Sequence, residues 1–154
     1  MLSKSALQLM LMLAAWSGVQ PGFAAVFAVN DSGTYVEPIA RSAWRADQRG
    51  QRQSPLLDAA TRVHVNLDVQ AWKGQTARLY LIMGRSIAPN INVAWTTNGH
   101  LQSGRLAPGQ RTLVYSGTIQ SATLQDVLHM QIVTDSREFA SALNVPFSFE
   151  IETP

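Results

Sequence analysis

The chain contains no cysteine. That removes disulfides, thiol redox chemistry, cysteine nucleophiles and thiolate metal sites together. A cysteine-free exported protein of this size suits a bacterial envelope better than a eukaryotic extracellular fluid. Only three histidines occur, His64, His100 and His129, and no two stand at a metal-ligand spacing. His64 and Asp68 would share one face of a strand but lie about 13 Å apart, too far to share a proton. The nucleophile elbow Gly-x-Ser-x-Gly, a calcium loop, a phosphate-binding glycine loop and a basic-aromatic nucleic-acid surface are also missing. No repeat of fixed period is present. The expectation is a protein that is not an enzyme, with no cofactor, no metal and no nucleic-acid partner.

Long hydrophobic runs are scarce too. The one candidate, Ala6 to Trp16, follows Lys4 and leads to Gly22-Phe23-Ala24. A basic start, an apolar run and small residues at the cleavage positions describe a signal peptide over 1–24, cut after Ala24 with Ala25 or Ala28 as alternatives. The run is shorter than the roughly 20 residues that span a bilayer, so no transmembrane segment is expected in the mature chain. Periplasm or cell surface is the expected location. Without Lys4 the chain carries 11 basic and 10 acidic side chains. It is close to neutral, and its calculated basic pI says little about partners.

What is abundant is strict alternation. Val63, Val65, Leu67 and Val69 alternate with His64, Asn66, Asp68 and Gln70, so Arg62 to Gln70 reads as a strand with one buried face. Four further segments read the same way: 78–83, 91–96, 111–116 and 128–133. The pattern Val145, Phe147, Phe149, Ile151 closes the series, with Pro146 placing that strand at an edge or at its own start. Leu113, Tyr115, Trp95 and Phe147 join the expected core. Leu124, Val127 and Leu128 are three and four apart, which predicts a short turn before the strand at 128. Asn98-Gly99 predicts a tight two-residue hairpin turn with 100–103 returning beside 91–96. Val26–Val29 and Thr34–Ile39 read as edge strands around Asn30-Asp31-Ser32-Gly33, because Pro38 disfavours a central place.

Seven or eight short antiparallel strands describe an all-β fold, an antiparallel β-sandwich of immunoglobulin-like type. A closed barrel is the competing architecture. Residues 25–60 hold the N-terminal edge strands and an arginine-rich loop, and 61–154 form the main body of the same single domain. Within the loop, Arg41, Arg45, Arg49 and Arg52 have helical spacing but face a poor apolar stripe, so an ordered surface loop or short helix is expected. With Trp44 and Trp72, these arginines form the candidate protein interface. Glu150 and Glu152 alternate with Phe149 and Ile151 and read as a solvated face.

Two functional classes fit. One is a non-catalytic envelope or surface protein that works by protein–protein contact, such as an accessory or minor subunit of a pilus or adhesive assembly. The other is a periplasmic small-ligand carrier or sensor with an internal apolar cavity lined by Tyr80, Trp95 and Tyr115.

Overall fold

The computed structural model describes residues 24–39, 41–46, 53–85, 90–135, 137 and 146–154, with backbone alone for 41–46 and 53–55. Residues 1–23 of the expected signal peptide lie outside the described residues, as do Arg49 and Arg52. The described strands are β1 (Ala25–Ala28), β2 (Tyr35–Val36), β3 (Arg41–Ala46), β4 (Gln53–Asp68), β5 (Thr76–Met83), β6 (Asn92–Thr96), β7 (Gly104–Leu106), β8 (Arg111–Thr118), β9 (Thr123–Asp135) and β10 (Phe147–Thr153). A 3-10 turn, Gln70–Trp72, follows β4.

Among the described residues all strand pairings are antiparallel and form two sheets. Sheet I has the order β1-β10-β5-β8. Sheet II runs β4-β9-β6-β7, with β2 and β3 lying end to end along the free edge of β4. The two sheets bury their facing sides against each other. Val63, Val65 and Leu67 of β4 meet Leu79 and Leu81 of β5, Phe149 and Ile151 of β10, and Leu128, Met130 and Trp95 in one core. Each of the larger side chains contributes about 1.5–3 kcal/mol by leaving water.

One side of the sandwich is closed. There β7 and β8 pass the chain from sheet II to sheet I, with the Gln102 N–H donating to the Val114 carbonyl at 2.7 Å and the Thr112 hydroxyl to the Arg105 carbonyl at 2.6 Å. The opposite side is bounded by β1 on one sheet and by β2 and β3 on the other. The Asn30-Asp31-Ser32-Gly33 turn links those two edges. Asn30 pairs with Asp68, so the chain crosses between sheets there instead of forming a hairpin.

Where the expected loop or short helix over 40–60 is described it is strand instead, β3 pairing antiparallel with β4, and the strand expected at 62–70 begins at Gln53. Leu57, Ala59 and Thr61 are the buried set in that extension. Alanine and threonine give a weak hydrophobic signal, and pairing to β9 from Leu56 onward outweighs the helical spacing of the arginines. Similarly, β9 is continuous from Thr123, not a turn followed by a strand. Leu124 and Leu128 share the inward side with Asp126, while Val127 faces out. Leu113 also departs from expectation. A register shift between Leu79 and Tyr80 places Leu113 opposite Tyr80, and Val114 takes the fully buried position.

Candidate functional site

The open side carries an unusual surface. Among the described residues, the most exposed large apolar side chains are Val26 (46 %), Phe27 (47 %), Tyr35 (58 %) and Val36 (55 %), all on β1 and β2. Edge strands are ordinarily blunted by lysine, proline or a bulge. The four residues of β1, Ala25-Val26-Phe27-Ala28, contain no charge and no proline. β1 covers only Glu150 to Thr153 of β10; further along, a single bond from the Val29 N–H to the Phe149 carbonyl, 2.9 Å, continues that flank. Phe27 meets Trp72 with ring centroids 6.0 Å apart, and Trp72 in turn packs against the core.

The outer face of sheet I is different in kind. Arg111 lies over the Tyr80 ring at 3.8 Å and bonds Glu152 at 2.6 Å, with Glu150 at 3.9 Å and Arg78 reaching Glu152 at 3.6 Å. The strand register sets this up, since Glu150 stands opposite Tyr80 and Glu152 opposite Arg78. Opposite charges across neighbouring strands satisfy one another locally. The expected solvated pair Glu150 and Glu152 is therefore an ion-paired one.

A groove of about 630 Å³ lies on the outer face of sheet II. It gathers all three histidines, from β4, from the loop after β6 and from β9, with Tyr35, Asn66 and Gln125. The Tyr35 ring stacks on His64 with centroids 4.4 Å apart and planes inclined by 5°. His64 Nε2 donates to Glu37 Oε1 at 2.6 Å, and Arg62 approaches the other oxygen at 3.9 Å. Glu37 is itself fixed to β4, because its backbone N–H donates to the Arg62 carbonyl at 2.8 Å and its carbonyl accepts the Thr61 hydroxyl at 2.6 Å. The His64 hydrogen bond holds the Glu37 carboxyl below its ordinary range. Desolvation opposes this, and the nearby charges of Arg62, His64 and His129 assist.

The far wall of the groove is the loop 97–103, and Asp126 fastens it. Asp126 Oδ1 accepts the Thr97 hydroxyl at 2.6 Å and the Val127 N–H at 2.7 Å, while Oδ2 accepts the Leu101 N–H at 2.7 Å. This is why Asn98-Gly99 does not make the expected two-residue turn. The loop detours to reach the carboxylate, Leu101 is buried, and pairing with β6 resumes only at Gly104. Gly99 lies so close that a Cβ there would fall 2.5 Å from the Asp126 carboxyl carbon. Gly104 likewise leaves room for the Trp95 indole, whose N–H donates to the Gln102 carbonyl at 2.9 Å.

The residues expected to form an interface are placed unevenly. Arg41, Trp44 and Arg45 lie on β3, an edge strand and not a loop. Trp44 pairs with Leu57, whereas Trp72 follows the other end of β4, about eleven residues or roughly 36 Å along the strand. The structure thus brings Trp72 to Phe27 on β1, not to Trp44. The expected cavity lining is also divided, since Trp95 lies in the core and Tyr80 under Arg111 on the outer face of sheet I. No helix among the described residues is long and apolar enough to cross a membrane. The partnership of His64 with Glu37, 27 residues earlier, is invisible to any local pattern.

No family model, no curated protein and no solved structure matches this chain.

Proposed function

We propose that this is an exported, non-catalytic domain of the bacterial envelope that acts by protein–protein contact. On this reading the sandwich is immunoglobulin-like, and the chain serves as an accessory or minor subunit of a pilus or adhesive assembly. The observation that carries the reading is the open side of the sandwich. Among the described residues, Val26 and Phe27 on sheet I and Val36 on sheet II stay exposed on strands at the edges of their sheets, and β1 carries no charged residue. An extended segment of a partner can add to such an edge through main-chain hydrogen bonds, with side-chain pockets supplying selectivity. The Phe27–Trp72 pair supplies a ready aromatic anchor. Arg41, Trp44 and Arg45 lie on β3 at the sheet II edge on the same side; together with Arg49 and Arg52, which follow them in the sequence, their positive charge would favour an acidic partner even though the mature chain is nearly neutral. The sequence features of Met1 to Ala24 support export.

A pull-down from envelope extract tests this reading, comparing wild type, Phe27→Lys, and the double charge reversal Arg45→Glu with Arg49→Glu. The wild type should retain a partner that Phe27→Lys releases, with the arginine variant capturing it more slowly. Equal retention by all three would refute the interface, and so would retention by none.

A further inference from the structure

Resting on the edge contact proposed above, we infer that its occupant is a second copy of this chain. The two β1 strands pair antiparallel and join two copies of sheet I about a two-fold axis at Phe27.

The register of β1 on β10 dictates which backbone groups look outward. Val29 donates its N–H to the Phe149 carbonyl, so these two residues form a directly bonded pair, and such pairs recur at every second residue. Phe27 and Ala25 therefore turn their N–H and C=O groups to β10, while Val26 and Ala28 turn theirs to the edge. β1 ends the strand order of sheet I, and among the described residues no hydrogen bond reaches those outward groups.

Two donors and two acceptors, spaced two residues apart, form a pattern that matches itself. In an antiparallel pair of β1 strands, Val26 meets the second copy's Ala28 and Ala28 meets its Val26, so every outward group is satisfied. Sliding either way by two residues leaves Val26 or Ala28 opposite a residue outside the strand. Phe27 then lies directly opposite its own copy in a non-bonded pair, where side chains approach most closely. It is on the core-facing side, since it stands across from the fully buried Ile151, yet it remains 47 % exposed. Each Phe27 ring already leans on Trp72, 6.0 Å between centroids, which orders it before the second copy arrives.

Charge also favours self-pairing. β1 has no charged side chain, so two copies meet without repulsion at the contact. Antiparallel approach sets the amino end of each β1 alongside the other copy's Val29-Asn30-Asp31. With cleavage after Ala24 that end carries the new α-ammonium, and Asp31 has no cationic partner among the described residues. The contact is short, at four residues a copy, and falls below the ~800 Å² per partner of a standard interface. A reversible dimer with a dissociation constant of about 10–100 μM is the expected result.

Sedimentation equilibrium of the purified mature protein, taken up to about 200 μM, should show that dimer. Ala28→Pro removes an outward N–H without touching the ladder to β10, and should weaken dimerisation about tenfold or more. Val26→Lys, which places a charge on the edge, should do the same and decides the matter if Ala28→Pro does not fold. The register is read by disulfide formation, which is clean because the chain has no cysteine of its own. Phe27→Cys should oxidise readily to a linked dimer, because non-bonded antiparallel pairs bring Cα atoms within about 4.5 Å. Ala25→Cys should link far more slowly, since its own copy lies about 13 Å away along the strand. A protein monomeric throughout, equal linking at Ala25 and Phe27, or folded Ala28→Pro and Val26→Lys variants as dimeric as wild type would each overturn the proposal. A monomer that still captures a different envelope protein through Phe27 would overturn it while leaving the edge reading in place. The dimer in solution, with its Phe27 link, would support it even if no other envelope protein is captured.

Discussion

Asp126 on β9 holds Leu101 in place: its Oδ2 accepts the Leu101 backbone N–H at 2.7 Å, across a gap of 25 residues in sequence. The same carboxylate takes the Thr97 hydroxyl, so one inward-facing acid shapes the whole 97–103 loop. Removing it would orphan three donors. We therefore expect Asp126→Ala to lower stability by about 2–4 kcal/mol, read from urea midpoints, with Asp126→Asn recovering part of the loss. A variant as stable as wild type would mean that the loop is held by other contacts.

The alternation along β10 gives a sharper contrast. Phe149 is buried among both sheets, whereas Glu150 faces out and meets Arg111 only at 3.9 Å. Phe149→Ala should cost about 3–5 kcal/mol. Glu150→Ala should change stability by about 0.5 kcal/mol or less. Similar denaturant midpoints for the two would show the register to be wrong.

Acid sensitivity follows from two carboxylates. Glu37 titrates below its reference value of 4.5, chiefly through the His64 hydrogen bond. Asp135 is lowered from 3.8 to about 2 by hydrogen bonds from the Arg137 side chain and backbone. Both pKa values are depressed in the folded state, so the unfolded chain takes up protons first as the pH falls. Their stabilisation is complete above the unfolded values and is lost as pH drops through the folded ones. Glu37→Gln should flatten the stability profile just below 4.5, and Asp135→Asn should flatten it between 3.8 and about 2. Profiles parallel to wild type across that range would contradict the assignment.

Processing is directly measurable. Intact-mass analysis of protein recovered from the envelope should give an N-terminus between Ala25 and Val29. Recovery of the Met1 form as the principal species would remove the basis for export.

Much of the fold was legible because strands of an antiparallel sandwich wear one wet face. Val63 to Val69 and Phe147 to Ile151 announce themselves by period two. Where burial falls on small residues, as at Ala59 and Thr61, the signal fades, and β3 with the start of β4 reads as a loop. Where an inward position is polar, as at Asp126, the strand breaks into an apparent helical turn. The edge positions of β1 and β2 were foreseeable from Pro38 and the Asn30 turn. The groove was not, since His64, His100 and His129 meet only through the β4–β9 register and the detour of the 97–103 loop. Trp72 was visible as a candidate anchor, but its companion Phe27 is set by the pairing of β1 with β10.

The claim that the open side is a protein-binding edge is tested most directly by placing a photo-crosslinking amino acid at Phe27 and irradiating intact cells. A control at Arg78, on the self-paired outer face of sheet I, reports non-specific capture. The account predicts a discrete adduct of one partner mass from Phe27 that is absent from Arg78. Identical adducts at both positions, or none at Phe27, would contradict it.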